Sequence, residues 1–160
     1  MRRVAGNGAA VEDYLTGLER LYDSFPVNQT TVSLPHEQFE RVRGRRDARI
    51  VDAYAEVRND DNEVLHVEND GAMTLPGETV DLSQHIESQV CEAVEDAAGI
   101  TCSVEGIESA TIAGLRDEDA PDSETCYHLI LVFEASYLDG TTSEDAYWKA
   151  EPKQVASLSA

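Results

Sequence analysis

The stretch Leu75 to Ile100, LPGETVDLSQHIESQVCEAVEDAAGI, decides the reading of this chain. It opens on a Pro-Gly pair and closes on Gly99. Between them Ile86, Val90, Ala93, Val94 and Ala97 recur at three- and four-residue spacing, the apolar stripe of an amphipathic helix. The spacing predicts a helix over 84–98, entered through a long loop from Met73 to Ser83. Ser83 is the expected N-cap, its hydroxyl free to accept from a first-turn amide. Gly99 is the expected stop, because glycine adopts the left-handed C-terminal conformation without steric cost. On the outer face Glu92, Glu95 and Asp96 stand three and four residues apart, so all three share one side of the helix.

Working upstream, Ile50 to Val57 mixes apolar and polar residues in a strand-like way. Asp60-Asp61-Asn62 is a turn signal, and Glu63 to Glu68 reads as the return strand of a hairpin. Asn69-Asp70-Gly71 is a second turn. Downstream, residues 104–115 read as one or two strands, and Arg116 to Glu124 as an acidic loop. Cys126 to Tyr137 is the most strand-like segment. Its apolar residues fall on both faces, as in a strand buried inside a sheet. A last strand, Asp145 to Ala150, carries Trp148, and the tail after Pro152 is a short helix or frayed. Before position 48 the pattern is helical. Val11, Tyr14, Leu15, Leu18, Leu21, Tyr22 and Phe25 predict an amphipathic helix over 11–25, with Pro26 past its end. Residues 30–34 read as extended, and Pro35 suits the first turn of a second helix reaching Gly44. Strands, a helix and further strands in this order give a mixed sheet with helices against it. The expected organisation is a helical N-terminal extension over 1–47 and one α+β domain over 48–160.

The charge balance is extreme: 32 acidic residues against 12 basic ones, a net charge of −20. Such a surface repels itself at low salt, and concentrated salt shortens the screening length to a few ångströms. With only Lys149 and Lys153 as lysines, the composition points to a salt-accumulating cytoplasm. It also argues against nucleic acid as a partner, since binding phosphates needs cations. No apolar run approaches the roughly 20 residues that span a bilayer. The basic N-terminus has no apolar stretch behind it, so no secretory signal is expected and the cytoplasm is the expected location. Cys91, Cys102 and Cys126 show no paired metal-ligand spacing and read as buried free thiols.

Leu75-Pro76-Gly77-Glu78, with the helix ending Ala98-Gly99-Ile100, resembles the Nudix box, G-x5-E-x7-R-E-U-x-E-E-x-G-U with U apolar. The resemblance extends over residues 48–152, through the preceding hairpin, the strand ending Val132-Phe133-Glu134-Ala135 and the aromatic Tyr147-Trp148. The segment Phe39-Glu40-Arg41-Val42-Arg43 is similar to extensions of salt-adapted archaeal members. The resemblance implies an α/β/α sandwich around a mixed sheet. It also implies a helix whose carboxylates hold Mg2+ or Mn2+ against the diphosphate of a nucleoside diphosphate linked to another group. Hard cations would neutralise the charge that builds on the leaving oxygen and activate the attacking water.

The motif places on this chain in two registers. The ungapped one, fixed by Gly77 and Gly99, puts Glu78 at the second glycine, Gln84 at the first glutamate and Glu92 at the arginine. It puts Ala93 at a principal metal ligand and Asp96 and Ala97 at the last pair, so one helical carboxylate survives. A register slipped by one residue puts Glu92, Glu95 and Asp96 on the three helical glutamate positions, with Ser83 and Cys91 at the first glutamate and the arginine. The ungapped register implies an eroded catalytic box and a protein that binds a nucleotide-like or diphosphate-containing ligand, or a protein partner, with weak or no hydrolysis. Gly77, Glu78, Arg41 and Arg43 are then the candidate ligand-binding residues. The slipped register implies an active hydrolase using Glu92, Glu95 and Asp96 as metal ligands, with Glu118 or Glu124 as a distant carboxylate. A third reading is a structural or regulatory module that dimerises through an exposed stripe of Val11, Leu15, Leu18 and Tyr22. Arg41, Arg43, Arg45, Arg46 and Arg49 form the candidate anion patch. His85 lies near the box loop, and Trp148 could stack on a base or serve the core.

Overall fold

The two-faced apolar segment beginning at Cys126 becomes an inner strand of an eight-stranded mixed sheet. The computed structural model describes residues 8–22, 24–44, 50–69 and 71–150. In chain order its elements are α1 (Gly8–Leu21), β1 (Val27–Leu34), α2 (His36–Arg43), β2 (Val51–Arg58), β3 (Val64–Asn69), β4 (Ala72–Thr74), β5 (Gly77–Val80), α3 (Ile86–Ala98), β6 (Ile100–Asp117), β7 (Cys126–Gly140) and β8 (Ala146–Lys149). The main path of the sheet runs β1-β6-β7-β2-β3-β4, with β5 on β2 and β8 on β3. β1 is parallel to β6 and β2 is parallel to β7, whereas β6 and β7 are antiparallel.

Alternation along the strands separates two cores. Val51, Ala53, Ala55 and Val57 of β2, with Leu129, Leu131 and Phe133 of β7, face α1 and α3. Val90, Val94 and Ala98 of α3 and Val11, Leu15 and Leu18 of α1 fill that side. On the other face Ala113 and Leu115 of β6 meet Phe39 and Val42 of α2. Helices on both faces of one mixed sheet make an α/β/α sandwich. No described helix is long and apolar enough to cross a membrane.

Several expectations change. The first helix stops at Leu21, short of Phe25; a residue before proline is pushed out of the helical region, and Phe25 precedes Pro26. The stripe of Val11, Leu15 and Leu18 is at most 3% exposed, so it is covered within the chain and offers no dimer face. The expected hairpin is minimal: β2 meets β3 only at Arg58 and Val64, and β3 then turns to β4 and β8. Part of the expected loop is strand, because Gly77–Val80 pairs with the edge of β2 that β7 leaves open. Residues 100–117 form a single long strand, irregular near Cys102, Gly106 and Ser109. Ala97 is exposed, and Ala98 takes the inward position one turn after Val94. Of the three thiols only Cys102 is buried; Cys91 and Cys126 are half-buried. The tail after Pro152 and Arg45, Arg46 and Arg49 lie outside the described residues.

Candidate functional site

The box begins where β5 presses on β2. A Cβ on Gly77 would come within 2.5 Å of Tyr54 Cδ1 and 2.8 Å of Tyr54 Cα, so only glycine permits this approach. Pro76 accepts a hydrogen bond from the Ala55 amide at 2.9 Å, and Leu75 is buried against Tyr54 and Val64. The loop that follows is braced by Gln89. Its side chain accepts from the Asp81 amide and donates to the Asp81 carbonyl, both at 2.8 Å. Asp81 in turn accepts from the Ser83 amide and hydroxyl at 3.0 and 2.7 Å. Ser83 is thereby tied into the loop, and the N-cap is His85, whose Nδ1 accepts from the Ser88 amide at 3.4 Å. At the far end Gly99 has φ 79°. Ser143 closes the last turn, its amide donating to Ala98 O at 2.8 Å and its hydroxyl to Ala97 O at 3.3 Å.

Glu92, Glu95 and Asp96 lie on the exposed side of α3. Ala93 is 7% exposed and faces inward. The donors of the ungapped register do not fit a divalent cation: Ala93 and Ala97 supply no oxygen, and Asp96 stands without a second motif carboxylate. Among the described residues, the group of three potential ligands whose donor atoms all lie within 4.8 Å of one another is instead His36, Asp117 and Asp119. That group is held by its own hydrogen bonds. His36 Nδ1 is 2.7 Å from Asp117 Oδ2, and the Asp119 amide donates to Asp117 Oδ1 at 3.0 Å. The bond between them raises the His36 pKa and lowers that of Asp117.

The other candidates are dispersed. Glu78 is on the exposed side of β5, opposite Ala53 of β2. Arg41 and Arg43 are exposed on α2, which covers the opposite face of the sheet from α3, and Arg43 pairs with Glu40 at 2.7 Å. Glu118 and Glu124 are exposed in the β6–β7 loop. Trp148 is half-buried edge-on against Tyr137, ring centroids 5.6 Å apart, so it belongs to the packing of the sheet.

No sequence signal marks what the structure brings to the start of α3. A cavity of about 530 Å³ opens between α1 and the box helix. Tyr14, Leu18 and Tyr22 form one wall, and Leu82, His85 and Glu87 the other. The Tyr22 hydroxyl donates to Glu87, and its ring stands edge-on to Phe133 at 5.9 Å. Burial pushes the Tyr14 phenol up to about 12. Burial, then the bond to Glu87, also raises that of Tyr22. Both phenols therefore stay neutral beside a largely apolar space, with the Tyr22 proton engaged by Glu87. Periodicity had placed these tyrosines on α1, but nothing in one sequence says which element they will face.

The far face of the sheet buries a polar layer. Thr79 Oγ1 donates to Asp52 Oδ1 at 2.5 Å, and His128 Nε2 lies 3.1 Å from Asp52 Oδ2, close in distance but without hydrogen-bond geometry. Nearby, Glu56 is 6% exposed and pairs with Arg58 at 2.5 Å. Glu108 bonds to Glu56, and its pKa rises to about 7 through that bond, burial and the charges of Glu56 and Glu134.

No protein-family model matches the sequence, and no curated protein matches it. Solved structures do resemble it. The mutator MutT protein from Bacillus halodurans superposes with a TM-score of 0.50 at 18% identity, over 62% of this chain and 67% of that one. A UDP-X diphosphatase gives 0.49 at 18% identity, over 63% of this chain and 50% of its own. A Nudix hydrolase from Nitrosomonas europaea gives 0.46 at 15% identity, over 63% and 57%. The chain thus spans about half the length of the diphosphatase it matches. Identities this low speak for architecture alone, and the architecture agrees with the loop-helix element, the mixed sheet and the helices on both faces: the chain has a Nudix-like α/β/α fold.

Proposed function

We propose that this chain is a Nudix-fold protein with an eroded catalytic box, which binds a nucleotide-like or diphosphate-containing ligand or a protein partner with little or no hydrolysis. The observation that carries this reading is Ala93. It occupies a principal ligand position of the ungapped register and is turned into the protein at 7% exposure. A glutamate there would bury its charge on the α3–sheet side, and the alanine offers a cation nothing. The cavity between α1 and α3 is the ligand site in this reading. Its apolar lining and two phenols suit a flat ring such as a nucleobase. Asp13 on the α1 wall and Glu87 on the α3 wall repel phosphate, so the ring enters and any phosphate stays outside.

Calorimetry in concentrated potassium chloride tests it. Titration with Mg2+ or Mn2+ is expected to show no saturable binding that depends on Glu92. Nucleosides are expected to bind, and Tyr14→Ala to weaken them at least tenfold, or about 1.4 kcal/mol. The active-hydrolase reading keeps one observation in its favour: Glu92, Glu95 and Asp96 are all exposed on α3, where their side chains are free to turn toward ions. Tight metal binding lost in Glu92→Ala, together with phosphate release from nucleoside diphosphate derivatives, would establish that reading and end ours.

A further inference from the structure

We propose that Cys91 and Cys102 form an oxidisable dithiol, a modification site that takes a hydroperoxide as its oxidant and closes to an intrachain disulfide tying α3 to β6. The chain geometry brings the two together. Cys91 lies eight residues before Gly99 on a helix, and Cys102 three residues after it on a strand running back. Eight helical residues rise about 12 Å and three strand residues about 10 Å, so both return to the same height above the turn. Their sulfurs stand 4.0 Å apart, and Cys91 Sγ donates to the Cys102 carbonyl at 3.5 Å. The sulfurs must close by about 2 Å to bond.

The two thiols differ as an attacking and a resolving cysteine should. Both line a cavity of about 300 Å³ that a small oxidant can enter, and Cys91 is the more open of the two, half-buried where Cys102 is buried. Cys102 is 5% exposed, and burial first, then the neighbouring Cys91, push its thiol up to about 12. In the first step the Cys91 thiolate attacks one peroxide oxygen. An S–O bond forms, the O–O bond breaks, and the departing hydroxide takes a proton to become water, leaving a sulfenic acid. In the second step the Cys102 sulfur attacks the Cys91 sulfur. The S–S bond forms, the S–O bond breaks, and hydroxide leaves with the thiol proton as a second water. Two thiols are oxidised and one peroxide is reduced. His85 and Glu87 line both this cavity and the one between α1 and α3, so the cross-link forms beside the proposed ligand site.

The test uses the full chain and hydrogen peroxide, followed by acid quenching, denaturation, alkylation and peptide mapping with a Glu-specific protease. Cleavage after Glu92 and Glu95 separates the two cysteines into different peptides. The expected result is a fall from three alkylatable thiols to one, a Cys91–Cys102 cross-linked peptide, and recovery of all three on reduction. Cys126 packs on the opposite face beside α2 and stays alkylatable. Cys126→Ser keeps the same cross-link, and Cys102→Ser leaves a Cys91 sulfenic acid that a 1,3-dione traps. Three thiols still alkylatable, a disulfide through Cys126 or between chains, or a sulfinic acid at Cys91 with Cys102 free would each overturn the proposal. None of these outcomes depends on the ligand reading.

Discussion

Removing the charge of Glu108 is expected to stabilise this protein, and only above a defined pH. Glu108 sits where β6 is irregular, between Ile107 and Ser109, and its carboxyl hydrogen-bonds Glu56 of β2. One of its oxygens is buried without a hydrogen-bond partner. Its pKa rises from 4.5 to about 7 in the fold. Between those values the folded chain holds a proton that the unfolded chain has released. Stability therefore falls as pH rises through the window, and the full penalty stands above about pH 7. The shift corresponds to about 3 kcal/mol. Glu108 is only partly buried, and screening by water and by Arg58 lowers this to about 1–2 kcal/mol. Glu108→Gln keeps the shape and a donor toward Glu56 but carries no charge. At about pH 8 the variant should melt roughly 3–6 °C above the parent, given roughly 2–4 °C per kcal/mol at this chain length. At about pH 4, below the unfolded value, where both states hold the proton, the two should coincide. Thermal unfolding of both proteins across this range, at fixed high salt, measures the difference. A gap that does not change with pH, or a variant less stable at pH 8, would refute the raised pKa of Glu108.

Three further outcomes follow from the same geometry. Gly77→Ala drives a Cβ into the β2 backbone at Tyr54 and is expected to cost about 3 kcal/mol, whereas Gly106→Ala, with open space at its Cβ, should change stability by less than about 0.5 kcal/mol; chemical denaturation compares them. Asp52→Ala leaves the Thr79 hydroxyl without its acceptor and removes the carboxylate beside the buried His128, and a loss of about 2 kcal/mol is expected in the same assay. The net charge of −20 predicts that the melting temperature climbs as potassium chloride is raised from low to molar concentration, and a melting temperature that stays flat or falls would remove the case for salt adaptation.

The parts of the fold that were legible in the sequence are those with a strong local signal. Gly99 ends α3 because the left-handed turn needs glycine. β7 reads as an inner strand because apolar residues occupy both of its faces. β5 was hidden because four residues, Gly-Glu-Thr-Val, carry too little alternation to stand out from a loop. It becomes a strand only because β2 has an open edge beside it. β6 read as one or two strands because its irregular steps near Gly106 and Ser109 break the two-residue period. Ser83 read as a cap because its competitor, Asp81, is visible only once the loop is folded. The cavity between α1 and α3 was out of reach for a similar reason: Tyr22 and Glu87 are 65 residues apart.

In the eroded-box reading proposed above, the loop-helix element shows how a fold can persist while its chemistry is lost. Gly77 lets β5 touch β2, Gln89 braces the loop, and Gly99 turns α3 back into β6. All three serve the backbone, and all three stay in place whether or not a cation is held. The ligand positions have no such duty. Position 97 is exposed, so an alanine there costs the fold nothing. Position 93 faces inward, where alanine removes the desolvation penalty a carboxylate would carry. In that reading the fold would gain from alanine at position 93 and be indifferent to alanine at position 97. The carboxylates that remain, Glu92, Glu95 and Asp96, sit on the side where this acidic protein carries charge everywhere else. In the proposed reading their number on α3 is a property of the surface, and their response to added metal is what would make them a site.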